Sequence, residues 1–167
     1  EYTGRMLDRI VFAGASRTIE SILDRVVPLA PVLVLDTSQA ALDELPLAVP
    51  ASTPASAGAS SSAHAISKRL GDATSQFVLE EARGDRQHAV ALVAATGDDR
   101  RNLEVCRLAR ELQFNPIVGI VIDPARAAEY EALGARAIVR AQILGHVVEQ
   151  ALRYDGLVIA SSVGQGR

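Results

Sequence analysis

Two rhythms of hydrophobic and polar positions alternate along the chain. Short, nearly continuous apolar runs stand at Arg9–Gly14, Pro31–Asp36, His88–Ala95, Pro116–Ile122 and Ala135–Val139, with a weaker one at His64–Leu70. Runs without polar alternation are what strands need when helices cover both faces of a parallel sheet. Between them, apolar residues recur at helical spacing: Ile19, Ile22, Leu23 and Val26 within Thr18–Val27, and Leu103, Cys106, Leu108, Ala109 and Leu112 within Asn102–Leu112. Ser38–Leu45, Ser75–Ala82 and Ala125–Leu133 predict shorter helices. Six β–α units in succession predict an α/β fold: a Rossmann-like, doubly wound, mainly parallel six-stranded sheet with helices on both faces. The expected strand order is 3-2-1-4-5-6. Any ligand crevice then lies beyond the carboxyl ends of strands one and four.

Residues 1–8 form a short lead, and the sheet-forming part is expected over 9–141. Within it, Leu47–Ala63 is rich in Ala, Ser and Pro and carries no charge, so it reads as a mobile insertion before the third strand. After the sixth strand, Gln142–Arg153, within an expected helical unit 142–154, puts Ile143, Leu144, Val147, Val148, Ala151 and Leu152 on one broad apolar stripe. That stripe fits two arrangements equally: a helix covering its own sheet, or one that leaves the domain and packs on a second subunit. Residues 155–167 open with a strand-like LVIASS and read as the start of a truncated C-terminal part; the chain also begins at Glu1 without Met, as a fragment would.

Composition narrows the classes. The 167 residues suit one ordinary domain, and 49% are hydrophobic, enough for a sizeable core. Aromatic residues make up only 4% and Trp is missing, so Ala, Val, Ile and Leu must build that core. No apolar run approaches the ~20 residues of a membrane span, and the piece reads as soluble. A net charge of −3 argues against a dedicated nucleic-acid binder. One cysteine, Cys106, excludes an internal disulfide and suits a reducing compartment; on the apolar face of its helix, it reads as a core thiol.

Candidate chemistry gathers where the crevice is expected. The first strand ends in Gly14-Ala15-Ser16-Arg17-Thr18-Ile19, the place of a G-x-G-x-x-G turn. The first glycine is present, while Ser16 stands at the second and Ile19 at the third, so the phosphate-cradling signal is incomplete. Ser16 could cap the following helix, whose N-terminus and Arg17 favour an anion. Asp36 ends the second strand, where a carboxylate reaches a ribose hydroxyl or caps the next helix. His64, His88 and His146 have no metal-ligand spacing, so neither a metal site nor a catalytic residue is expected. Asp98-Asp99 read as acids favoured at a helix start, and Arg100-Arg101 as a solvated helix face.

The most specific signal is an ordered set of blocks: Gly71-Asp72-Ala73-Thr74, then Val78-Leu79-Glu80-Glu81-Ala82, then Ala94-Ala95-Thr96-Gly97-Asp98-Asp99 with Asn102, and Leu133-Gly134-Ala135 before the last strand. In order and spacing, over about Asp8–Tyr154, they resemble the RCK/KTN domains of TrkA-N type. These are the regulator-of-potassium-conductance and potassium-transport nucleotide-binding domains, including Trk-type regulatory subunits. The resemblance implies a non-enzymatic, cytoplasmic gating module of a membrane potassium channel or transporter, pairing as a homodimer through the helix after strand six. It implies NAD(H) or ATP/ADP in the crevice. Phosphates would lie on the loop matching Gly14, Ala15, Ser16 and Arg17, ribose on Asp36, and adenine on Asp72 and Ala73, with Thr96 and Gly97 closing the crevice and Thr37 also counted among the cofactor-binding positions.

The chain also departs from that pattern. Many relatives carry a basic residue inside strand five; here the stretch is Gly119-Ile120-Val121-Ile122. A buried phosphate without positive partners suffers a large desolvation cost. A second reading is therefore the same fold with a non-binding crevice, serving as an assembly scaffold. A third, an NAD(P)-dependent oxidoreductase domain, needs a poised Lys, His or Tyr that the sequence does not present.

Overall fold

The computed structural model describes residues 7–46 and 66–154. The expected insertion over 47–63 and the expected strand-like tail from residue 155 lie outside the described residues. The strands are β1 (Arg9–Ala13), β2 (Val32–Asp36), β3 (Ile66–Leu70), β4 (Val90–Ala94), β5 (Ile117–Val121) and β6 (Arg136–Val139). The helices are α1 (Arg17–Val26), α2 (Gln39–Glu44), α3 (Gln76–Arg83), α4 (Asp99–Glu111), α5 (Ala127–Ala132), preceded by a 3-10 turn at Pro124–Arg126, and α6 (Arg140–Tyr154). All strand pairings are parallel, in the order β3-β2-β1-β4-β5-β6. The doubly wound sheet expected from the alternation is the one formed.

Why these strands sit centrally follows from their burial. Val11, Phe12 and Ala13 of β1 are fully buried, as are Val34 and Leu35 of β2 and Leu92 and Ala94 of β4. Alternate side chains feed two apolar layers. Ile10, Phe12, Val32 and Val34 meet Ile19, Leu23 and Leu42 under α1 and α2 on one face. Val11, Leu35, Leu92 and Val121 meet Leu79, Val105, Leu108 and Tyr130 under α3, α4 and α5 on the other. Cys106 lies in this second layer, fully buried, and burial pushes its thiol up to about 12. It is a core side chain.

The last helix behaves differently. β6 passes into α6 without a loop, two residues ahead of the expected Gln142, because Arg140 and Ala141 are themselves good helix formers. Residues 141–150 are all exposed, with Ile143 at 51% and Leu144 at 65%. Of the two arrangements the stripe allowed, a helix covering its own sheet is therefore not the one adopted. No helix among the described residues is long and apolar enough to cross a membrane.

Candidate functional site

The turns at the carboxyl ends of β1 to β4 meet at one place. The Gly14 N–H donates to the Leu35 carbonyl at 2.7 Å, and the Ala95 N–H donates to the Ala13 carbonyl at 2.8 Å, so β1 stays zipped between its neighbours to its last residue. Gly14 then turns with φ +110°. A Cβ there would stand 2.4 Å from the Ala95 carbonyl oxygen. The first glycine of the turn is thus required by the approach of two backbones. Ser16 occupies the N-cap position of α1 but makes no side-chain cap bond, so the expected capping by its hydroxyl does not form. Ile19, in place of the third glycine, is fully buried in the layer beneath α1. The side chains of Arg17 and Thr18 lie outside the described part.

Asp36 ties two turns together. Its Oδ2 accepts the Ala15 N–H at 2.7 Å and its Oδ1 accepts the Ser38 N–H at 2.7 Å, while the Ser38 hydroxyl caps α2. Each carboxylate oxygen retains capacity for a further donor. The carboxylate lines a cleft with Gly14, Thr37, Gly71, Ala73, Thr96 and Arg101. Asp72 stands one step back. Its Oδ1 accepts from the Thr74 N–H at 2.9 Å, the Thr74 hydroxyl at 2.7 Å and Arg101 Nη2 at 3.0 Å. The Thr74 amide foremost, with its hydroxyl and Arg101, holds this carboxyl below its ordinary range despite partial burial.

Arg101 corrects the expectation of a solvated face. The Asp72 carboxylate holds it at 3.0 Å on the lining of the first cleft, and its Nε is buried without a hydrogen-bond partner among the described residues. Arg100 and Arg101 are adjacent on a polar surface, and only the position of Asp72, just past β3, distinguishes the one that pairs from the one left exposed.

The β4–α4 turn is fixed from behind. Fully buried Asn102 accepts the Thr96 N–H and hydroxyl, both at 2.8 Å, and donates to the Ile120 carbonyl at 3.0 Å. Asp98 caps α4 as expected, accepting the Arg101 N–H at 2.9 Å. Asp99 does something else. It is 9% exposed and accepts the Ile122 and Asp123 N–H groups at 3.0 and 2.8 Å and the Tyr130 hydroxyl at 2.7 Å. Burial pushes its pKa up, but the Tyr130 and backbone hydrogen bonds outweigh it and the carboxyl is held low. From the first turn of α4, where the sequence places an acid, it also fastens the end of β5.

A lowered folded-state pKa contributes stability above the unfolded value, near ~3.9, that is lost as pH falls through the folded one. Asp99→Asn should melt below the wild type at pH 7, with the gap narrowing as pH falls below the ordinary carboxylate range and the native carboxyl protonates. Thermal melts across that range check this, and a gap that stays constant would refute it.

A second cleft adjoins the first across the Ala95–Gly97 turn, lined by Ser16, Gly97, Asn102, Ile120, Ile122 and Arg140. The two clefts measure about 80 and 40 Å³. A larger cavity of about 740 Å³ opens at the opposite, amino-terminal end of the strands. Its buried Arg83 donates to the Leu112 and Asp85 carbonyls and stacks over Phe114, so it holds structure there. No group of three His, Cys, Asp or Glu among the described residues could hold a metal ion.

The TrkA-N domain model matches residues 10–141. The chain belongs to the TrkA-N family. The comparison with curated proteins returns no match. Among solved structures, this TrkA-N domain is similar to the NAD(P)-binding domain of an exopolyphosphatase-related protein from Archaeoglobus fulgidus, at 16% identity and TM-score 0.65, covering 89% of this chain and 98% of that one. It is also similar to the GsuK channel bound to NAD (18% identity, TM-score 0.56, 87% of this chain and 23% of that one). GsuK bound to ADP is matched at 19% identity and TM-score 0.56, over 85% of this chain and 33% of that one. The chain thus spans a third or less of the GsuK chains, and at these identities the likeness shows the fold alone.

Of the ten positions singled out in the sequence, Gly14, Asp36, Thr37, Ala73 and Thr96 share the first cleft, and Ser16 and Gly97 the second. Ala15 offers its N–H to Asp36, Asp72 braces Arg101, and the Arg17 side chain is outside the described part. Sequence reasoning missed Arg101 and Arg140.

Proposed function

We propose that this TrkA-N domain is a cytoplasmic, non-enzymatic regulatory module of a potassium channel or transporter, which senses an adenine nucleotide, NAD(H) or ATP/ADP, in the crevice beyond β1 and β4. The observation that carries the reading is the convergence of Asp36, Thr37, Ala73, Thr96 and Arg101 on one cleft beside Gly14. Asp36 retains acceptor capacity for ribose hydroxyls, Ala73 and Gly71 offer a small-residue wall for a base, and Arg101 brings a positive charge. The structural neighbours that bind NAD and ADP support the ligand class. The exposed apolar stripe Ile143, Leu144, Val147 and Val148, continued in the sequence by Ala151 and Leu152, supports self-association as a homodimer. Regulation would then be a population shift: a ligand that favours one arrangement of paired domains transmits its differential affinity to the pore.

Clefts of about 80 and 40 Å³ fall short of the ~300 Å³ and above usual for small-molecule sites. That favours, as the second reading, a crevice kept for assembly alone. Isothermal titration of ATP, ADP and NADH into the purified chain decides between them. Saturable heat abolished by Asp36→Ala, with the variant still folded, is the expected result; no heat and no shift in melting temperature with any of the three leaves the scaffold.

A further inference from the structure

We propose that Arg140 reads the terminal phosphate of the ligand, making the second cleft an anion subsite that selects nucleoside di- and triphosphates over the cationic nicotinamide end of oxidised NAD. The inference rests on the nucleotide reading above. Strand five brings no charge to the crevice: Gly119 turns to Tyr130, and Ile120 and Ile122 are apolar walls of the second cleft. Ser16, Gly97 and Asn102 are neutral. Among the described residues Arg140 is thus the one charged side chain on that wall, delivered from the far end of the sequence by the junction of β6 and α6.

Its donors are unspent. Arg69, Arg101, Arg107 and Arg126 are each paired with a carboxylate, and Arg83 is tied to backbone carbonyls. Arg140 makes no hydrogen bond or ion pair among the described residues. A guanidinium offers a fork of N–H donors that suits phosphate bidentately, and it repels a positively charged ring placed in the same cleft. Arg140 also opens α6, whose next ten residues are all exposed. A phosphate held there fixes the first turn of that helix with no intervening element.

Titration calorimetry on the full chain, wild type and Arg140→Gln, with AMP, ADP, ATP and NAD⁺ tests this. The wild type should bind ATP more tightly than AMP or NAD⁺. Arg140→Gln should weaken ATP and ADP about tenfold, the scale of one charge-assisted hydrogen bond, and leave AMP unchanged. The unliganded variant should melt as the wild type does, because Arg140 is exposed and makes no hydrogen bond or ion pair among the described residues. Equal ATP affinity in the two proteins, or NAD⁺ binding the wild type more tightly than ATP, overturns the role of Arg140 while leaving the nucleotide reading intact. A wild type that binds none of the four overturns both.

Discussion

Gly14→Ala should be the most damaging small substitution in the crevice, costing about 4 kcal/mol or more and lowering the melting temperature by roughly 10 °C. The added carbon would meet backbone on every near side: 2.4 Å from the Ala95 carbonyl oxygen and 2.7 Å from Thr96 Cα. Those atoms belong to the β4 turn, which is itself held by the Ala95–Ala13 ladder bond and by Asn102 behind Thr96, so they cannot step aside cheaply. The positive φ of Gly14 adds its own strain for any L side chain. Gly97→Ala is the matched control. Gly97 also has positive φ, +85°, but nothing lies within 4 Å of a Cβ there, so only the ~1 kcal/mol of left-handed strain remains. Melting of the two variants by circular dichroism checks the contrast; a Gly14→Ala protein within about 2 °C of wild type would show that the β1–β4 approach is looser than the contacts require. The expected inequality also bears on function. A glycine demanded by packing persists in this fold whether or not a phosphate is ever bound, so Gly14 alone says little about ligand.

That distinction explains how much was legible in the sequence. Strand order and crevice location could be read because nearly unbroken apolar runs such as Val32–Leu35 and Val90–Ala94 only make sense between two helical layers. The clustering of Gly14, Asp36, Ala73 and Thr96 followed from that order, since all four lie at strand ends. Arg101 and Arg140 were opaque for a different reason. Each lies next to ordinary helical positions, and its placement depends on distant residues: Asp72, just past β3, pairs with Arg101, and the turn after β1 at Ser16 lines the same cleft as Arg140. The apolar stripe of α6 was ambiguous because periodicity reports that a face needs burial and not which chain supplies it. Asp99 is the acid in the first turn of α4 that the sequence predicts, but its tie to Ile122, Asp123 and Tyr130 was not legible because those donors lie more than twenty residues away.

Tyr130 carries the second large effect. Its ring is fully buried against the bare backbone of Gly119, where a Cβ would stand 2.2 Å from Cδ1 and 2.5 Å from Cε1, and its hydroxyl donates to Asp99. Gly119→Ala must therefore push the ring outward, straining the bond that lets Asp99 hold the Ile122 and Asp123 amides. Overpacking of a buried site costs about 1–3 kcal/mol, and disturbing the buried hydrogen bond places the expected loss near the upper end. Tyr130→Ala alone leaves a cavity and should cost about 3–5 kcal/mol. The double variant is the informative one. With the ring gone, the methyl that Gly119→Ala introduces no longer meets it and fills part of the hole, so the pair should be no less stable than Tyr130→Ala alone. That is a coupling of about 2 kcal/mol or more, well outside additivity for independent sites. Denaturant unfolding of the four proteins measures it; additive losses would mean that the ring is not seated on Gly119. If the coupling is found, it also accounts for one uncharged position of strand five: side-chain space filled by a buried tyrosine cannot hold a lysine or arginine at Gly119. Ile120 and Ile122 line the second cleft as apolar side chains, so the positive charge beside the crevice comes from elements outside that strand, Arg101 and Arg140.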